Sequence, residues 1–142
     1  MAKGTTFCND LLKLTLNATA IANIADNAAS SPLTNVYVAL HTADPTAGGA
    51  QNASEASYGS YARVAVARTT GGWTVTTNSV VPLANIVFPT ASSGTNTITH
   101  WSVGVASSGA TKILWTGTVT PNISVTTGVS PTLTAASTIT ET

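Results

Sequence analysis

The cluster most able to do chemistry is His41-Thr-Ala-Asp44, an imidazole and a carboxylate three residues apart. Such a pair could act as a general base and the acid that orients it, which is hydrolase chemistry. That use needs a positioned nucleophile, and the chain has no Gly-x-Ser-x-Gly elbow. A simpler reading has His41 finish a strand and Asp44-Pro45 open a turn, since Asp favours turn starts and Pro presets φ. The turn reading outweighs the catalytic one. Cys8 and His100 are the only other nucleophile–base candidates. Cys8 follows Phe7 in an apolar helical stretch, where a free cysteine is usually a small buried hydrophobe. The five acids are scattered, which is a weak basis for paired acid–base work. Gly48-Gly49 and Gly71-Gly72 have neither a following Lys-Ser/Thr nor a strand-to-helix setting, so they are not phosphate loops. One cysteine and two distant histidines give no zinc spacing. The expectation is therefore no catalytic residue, no metal and no cofactor. The tryptophans, Trp73, Trp101 and Trp115, sit on strand candidates with mainly Thr, Ser and Gly neighbours, which suits packing better than a sugar platform.

Composition narrows the function classes further. Only ten of the 142 residues are charged: Lys3, Lys13, Arg63, Arg68 and Lys112 against Asp10, Asp26, Asp44, Glu55 and Glu141. Ordinary domains are about one quarter charged. Phosphate neutralisation needs clustered cations, so nucleic acid is not an expected partner. No run reaches the roughly 18 apolar residues needed to span a bilayer, and no membrane partner is expected. The start lacks a secretory pattern, which predicts synthesis in a host cytoplasm. A near-neutral surface has little self-repulsion and tends to associate. The 27 threonines favour strands and keep hydroxyls in water.

These residues must be positioned by a mainly β chain. One helix starts near Thr5 or Thr6, with Phe7, Leu11 and Leu14 as its apolar stripe. The Ala-rich run 18–29 extends it or forms a second short helix, giving a helical arm over about 5–29. Ser30-Ser31-Pro32 ends it. Strand patterns then cover Val36–His41, Arg63–Arg68, Trp73–Thr77, Ile86–Phe88, Thr97–Ala106, Lys112–Thr120, Ile123–Val125 and Leu133–Ile139. The Ser107-Ser108-Gly109-Ala110 turn makes 97–106 and 112–120 a hairpin. The expectation is one domain over 1–142: an antiparallel β sandwich or jelly roll with a short N-terminal helical segment. The stretch from Asp44 to Ser60 has no apolar period, and loops of that length are usually functional or disordered. It is expected to be mobile until a neighbour orders it, with Asp44, Pro45, Tyr58 and Tyr61 at the interface.

The segment Leu33–Arg68, with Gly72-Trp73-Thr74-Val75, Phe88-Pro89, Thr99-His100-Trp101-Ser102-Val103-Gly104 and the Lys112–Val119 stretch, resembles small bacteriophage virion proteins often labelled tail-fibre-like. The resemblance spans nearly the whole chain and its motifs are structural. It is also connected to the decoration, or cement, proteins of tailed phages. What it implies first is a capsid decoration protein on the outer surface of the phage head. That protein would bind the major capsid protein and itself, as a dimer or trimer, and stabilise junctions between shell subunits by multivalent contact. A tail component (fibre, tube or baseplate module) is the second implication. A small hydrolase using His41 and Asp44 is the alternative of another class.

Overall fold

The computed structural model describes residues 5–21 and 32–141. Within them one helix, α1 (Thr5–Leu16), precedes nine strands. These are β1 (Asn35–His41), β2 (Val64–Ala67), β3 (Trp73–Thr76), β4 (Ser79–Pro82), β5 (Ile86–Val87), β6 (Asn96–Gly104), β7 (Ile113–Val125), β8 (Thr132–Leu133) and β9 (Ile139–Thr140). The chain is mainly β, as expected, with antiparallel pairing at β1–β6, β6–β7, β3–β4 and β4–β9. It divides into two compact units.

The first unit takes the described residues of 1–35, 67–85 and 133–142. Its sheet runs β3-β4-β9, and α1 packs on β3 and β4. The buried helical stripe is Cys8, Leu12 and Leu16, whereas Phe7 is 42% exposed and Leu11 and Leu14 are only half-buried. Leucines at 11, 12, 14 and 16 fit two stripes of helical period, and packing chose the one that tucks the small Cys8 inward. Trp73, Val80, Leu133 and Ile139 complete this core. The helix stops at Leu16, and Thr19 N–H returns to the Lys13 carbonyl across Ala18, which sits in the left-handed region at φ 53°. The Ala-rich continuation is thus not helical through residue 21, and 22–29 lies outside the described residues. The last helical carbonyls would be orphaned. Arg68 answers them: its Nε donates to Thr15 O at 2.6 Å and a terminal nitrogen to Leu14 O at 2.8 Å.

The second unit takes 36–66 and 86–132. Its sheet order is β2-β1-β6-β7. Val36, Val38, Leu40, Ile98, Val103, Phe88 and Val125 are all at most 1% exposed. The expected hairpin is β6–β7, with Val103 opposite Trp115 and Trp101 opposite Gly117. The expected break at Pro121 is absent, and β7 continues through it to Val125. Proline is tolerated on an edge strand because its missing N–H faces no ladder partner, and β7 is an edge. The expected strand over 133–139 is instead two short strands separated by a turn that Ser137 N–H closes on Thr134 O.

Candidate functional site

β1 delivers His41 at its C-terminal end, and the following loop turns back along it. Thr42 N–H donates to Ser54 O and Ala56 N–H to Leu40 O, both at 2.8 Å, while His41 and Glu55 form an isolated bridge. Asp44 acts as the turn chemistry predicts. Its Oδ1 accepts from Thr46 N–H and Oγ1–H at 2.9 and 2.7 Å, capping a single 3-10 turn over Pro45–Gly48. Those bonds hold its carboxyl below the ordinary value.

His41 is fully buried. Its Nδ1 lies 2.9 Å from Ala53 O and its Nε2 2.7 Å from Ser102 Oγ. A carbonyl only accepts, so Nδ1 carries the proton, and neutral Nε2 accepts from the Ser102 hydroxyl. Burial lowers the His41 pKa, which keeps this neutral form. The constellation has the order of a nucleophile and base, with the Ala53 carbonyl where a third-group acid would stand. Asp44 takes no part in it. Ser102 and His41 both have zero exposure, so no substrate reaches them in this conformation, and the pair acts as an internal polar tie.

Beside it lies Gln51, also fully buried. Its Nε2 donates to Tyr37 O at 2.8 Å and to Ser102 Oγ at 3.3 Å, and its Oε1 accepts from Arg63 at 3.0 Å. Arg63, 7% exposed, is the hub. Its Nε and one terminal nitrogen clamp the two Glu55 oxygens at 2.7 and 2.9 Å. The terminal nitrogens also reach Ala106 O, Gly109 O and Thr111 Oγ1 at 3.0, 2.8 and 3.1 Å. Such bidentate, charge-assisted bonds are the strong kind. They fasten the long loop to the β6–β7 turn, alongside the apolar burial of Pro45, Ala56 and Tyr58. Gln51 at the middle of the loop and Glu55 beyond it supply its polar anchors.

Of the four residues expected at an interface, Asp44 is exposed, Pro45 and Tyr58 are buried, and Tyr61 is half-buried. Tyr58 donates to Pro89 O at 3.1 Å, and burial pushes its pKa up to about 12. Tyr61 donates to Glu55 Oε1 at 3.0 Å and accepts from Leu40 N–H at 3.1 Å, with burial raising its pKa further. Its ring meets Tyr58 edge-on at 5.3 Å and stacks on Phe88 at 6.4 Å. Both tyrosines therefore serve the interior of this unit. Over the Arg63–Glu55 pair lies a shallow cleft of about 290 Å³, walled by Tyr61, Ala56, Ala62 and Ser107–Gly109.

Sequence reasoning missed Gln51, Ser102 and the Arg63–Glu55 pair. The one available signal was scarcity: Glu55 is the only acid between Asp44 and Glu141, and Arg63 closes the same segment. Cys8 is buried, and of the three tryptophans Trp73 and Trp101 pack inside as expected while Trp115 is half-buried. Among the described residues no cluster of three His, Cys, Asp or Glu side chains could hold a metal ion, and no helix is long and apolar enough to cross a membrane.

A family model described as podophage GP4 fiber I protein gp80 matches residues 11–141, all but the first ten residues and the last. No curated protein matches the chain.

Proposed function

Because the chain belongs to the podophage GP4 fiber I protein gp80 family of phage virion structural proteins, we propose that it is a building block of a phage tail fiber and works by contact, not by catalysis. The match over residues 11–141 carries this reading. It moves the weight from head decoration, the first implication of the sequence, to the tail appendage, the second. The site supports a contact role in a physical way. The Arg63 guanidinium, the Glu55 carboxylate and the Gln51 amide are satisfied within the chain, which builds a fixed scaffold. Ser102 and His41, which have nucleophile–base order, are sealed.

A cement protein on the head needs the same ingredients, a sparsely charged β module that spreads its binding over many copies, so location is the deciding observable. Intact virions labelled with antibody fragments raised against this chain, and imaged by electron microscopy, decide it. Label on the tail appendages is the expected result. Label distributed over the capsid shell would replace the fiber reading with decoration of the major capsid protein.

A further inference from the structure

The loop after β1 returns over a polar side of the sheet. Register sets Ala39 opposite Ser102 and His41 opposite His100, and residues two apart on a strand point the same way. His41, Ser102 and His100 therefore share one side, while Val38, Leu40 and Val103 are buried on the other. Residues 50–54 lie against the polar side through hydrogen bonds. Gln51 N–H donates to Thr111 O at 2.8 Å, and its side-chain amide to Tyr37 O and Ser102 Oγ at 2.8 and 3.3 Å. Ala53 O accepts from His41 Nδ1 at 2.9 Å. Within this segment Gln51 is fully buried, Ala50 and Ala53 are half-buried, and Asn52 and Ser54 are exposed. Little apolar surface holds it down, the profile of a piece that opens on its own.

The hydrogen bonds at His41 admit one protonation state. Nδ1 already carries its proton for Ala53 O, and Nε2 accepts from Ser102. A second ring proton turns Nε2 into a donor. Among the described residues Ser102 Oγ bonds only His41 and Gln51, and Gln51 Nε2 donates to it, so the displaced hydroxyl proton finds no acceptor. Burial is the largest influence on the ring and opposes its charge; the Ala53 bond and Glu55 favour the charge, and Arg63 and His100 oppose it. Asp44 is exposed and turned onto Thr46, Tyr61 is committed to Glu55 and the Leu40 N–H, and β7 carries no ionisable side chain. We propose that residues 50–54 are an acid-released strap: protonating His41 lifts them off the polar side of β1 and β6, while the Glu55–Arg63 clamp holds the chain just beyond. Lifting lets water solvate the imidazolium and the Ser102 hydroxyl, breaks bonds that water replaces, and leaves the apolar side packed. The strap makes no demand on where in the virion the chain sits, so it stands apart from the fiber reading.

The test follows amide exchange of the full chain by NMR from about pH 7.5 to 5.5, expressed as protection factors so that the intrinsic pH dependence of exchange divides out. The hydrated ring has its ordinary value of 6.5 and the covered ring a lower one, so the open form takes the proton first. Opening therefore grows as pH falls, and over this range the growth approaches about tenfold for a ring that stays neutral while covered. Protection should fall accordingly at Thr42, Gln51 and Ala53, whose amides bond Ser54 O, Thr111 O and Ala50 O, and should hold across β6. Both imidazoles are titrated in the same samples, and the fall should track His41. His100→Gln should keep the fall and His41→Gln should abolish it. Strap protection that changes less than about twofold, that falls together with β6, that tracks the His100 ring, or that still falls in His41→Gln would each overturn the proposal. Should His41→Gln not fold, the ring titration of the parent chain decides.

Discussion

Replacing Arg63 with Met tests whether charge-assisted anchoring, not apolar packing, holds the long loop. The substitution keeps an unbranched apolar stem in a site 7% exposed and removes the guanidinium. Glu55, whose side chain is 17% exposed, is left without its cation. Gln51 Oε1, fully buried, loses its strongest donor and keeps only the 3.4 Å bond from Thr111 Oγ1. Breaking a buried pair from one side costs about 3–5 kcal/mol. Glu55 is partly exposed and Gly109 is an exposed residue, which limits the penalty, while the stranded Gln51 oxygen adds to it. A net loss of about 4 kcal/mol follows from these terms. At about 3 °C per kcal/mol for a chain of this length, the thermal midpoint should fall by about 12 °C. Circular dichroism melts read that shift, and hydrogen exchange should show faster exchange at 44–62. Combining Arg63→Met with Glu55→Gln removes the unpaired charge and should recover about 1–2 kcal/mol. A single-variant midpoint within about 3 °C of the parent, or a double variant worse than the sum of its parts, would refute the clamp as the source of stability.

His41 gives a pH prediction. Its folded pKa is lowered from the ordinary 6.5 by burial, so the unfolded chain binds the proton first. Stability should be flat above about pH 7, decline as pH falls below about 6.5, and level off below the folded pKa. Urea midpoints measured from pH 7.5 to 5 should show this decline in the parent and lose it in His41→Gln. Gly104 gives a packing prediction. A Cβ there meets the Gln51 side-chain amide, so Gly104→Ala should cost about 1–3 kcal/mol by overpacking. In a Gln51→Ala background the same change should cost almost nothing, and denaturant titration of the four chains reads that coupling.

Much of the β architecture was legible because it obeys period two. Val36, Val38 and Leu40 announce β1, and the Ser107–Ala110 turn announces the β6–β7 hairpin. β4 was not visible: Ser79 to Pro82 is short, ends on proline and follows the polar run Thr76–Asn78. It becomes a strand only through pairing with β3 on one side and β9 on the other. β7 was divided at Pro121 because proline reads as a breaker wherever edge or centre is unknown. The helix starts where Thr5 and Thr6 place it but ends at Leu16, and it buries Cys8, Leu12 and Leu16 in place of Phe7, Leu11 and Leu14, since the leucines satisfy two stripes. The site was the least legible part. His41 and Asp44 stand out in a sequence, but the partners that matter are Ser102, 61 residues away, and Gln51, one uncharged side chain in a polar loop. Long-range polar satisfaction leaves no local pattern.

Gln51 has one more consequence. By fastening the loop near its midpoint it converts one long closure into two short ones, and the entropy of closing a loop grows only slowly with length. The tip beside it is open: Gly49 is exposed at φ 69°, with nothing within 4 Å of where a Cβ would stand. A foreign peptide spliced in after Gly49 would lengthen only the first of the two closures and leave the Arg63 clamp on the far side of the pin. This position makes the chain a natural carrier for displayed epitopes, one for every copy the virion holds.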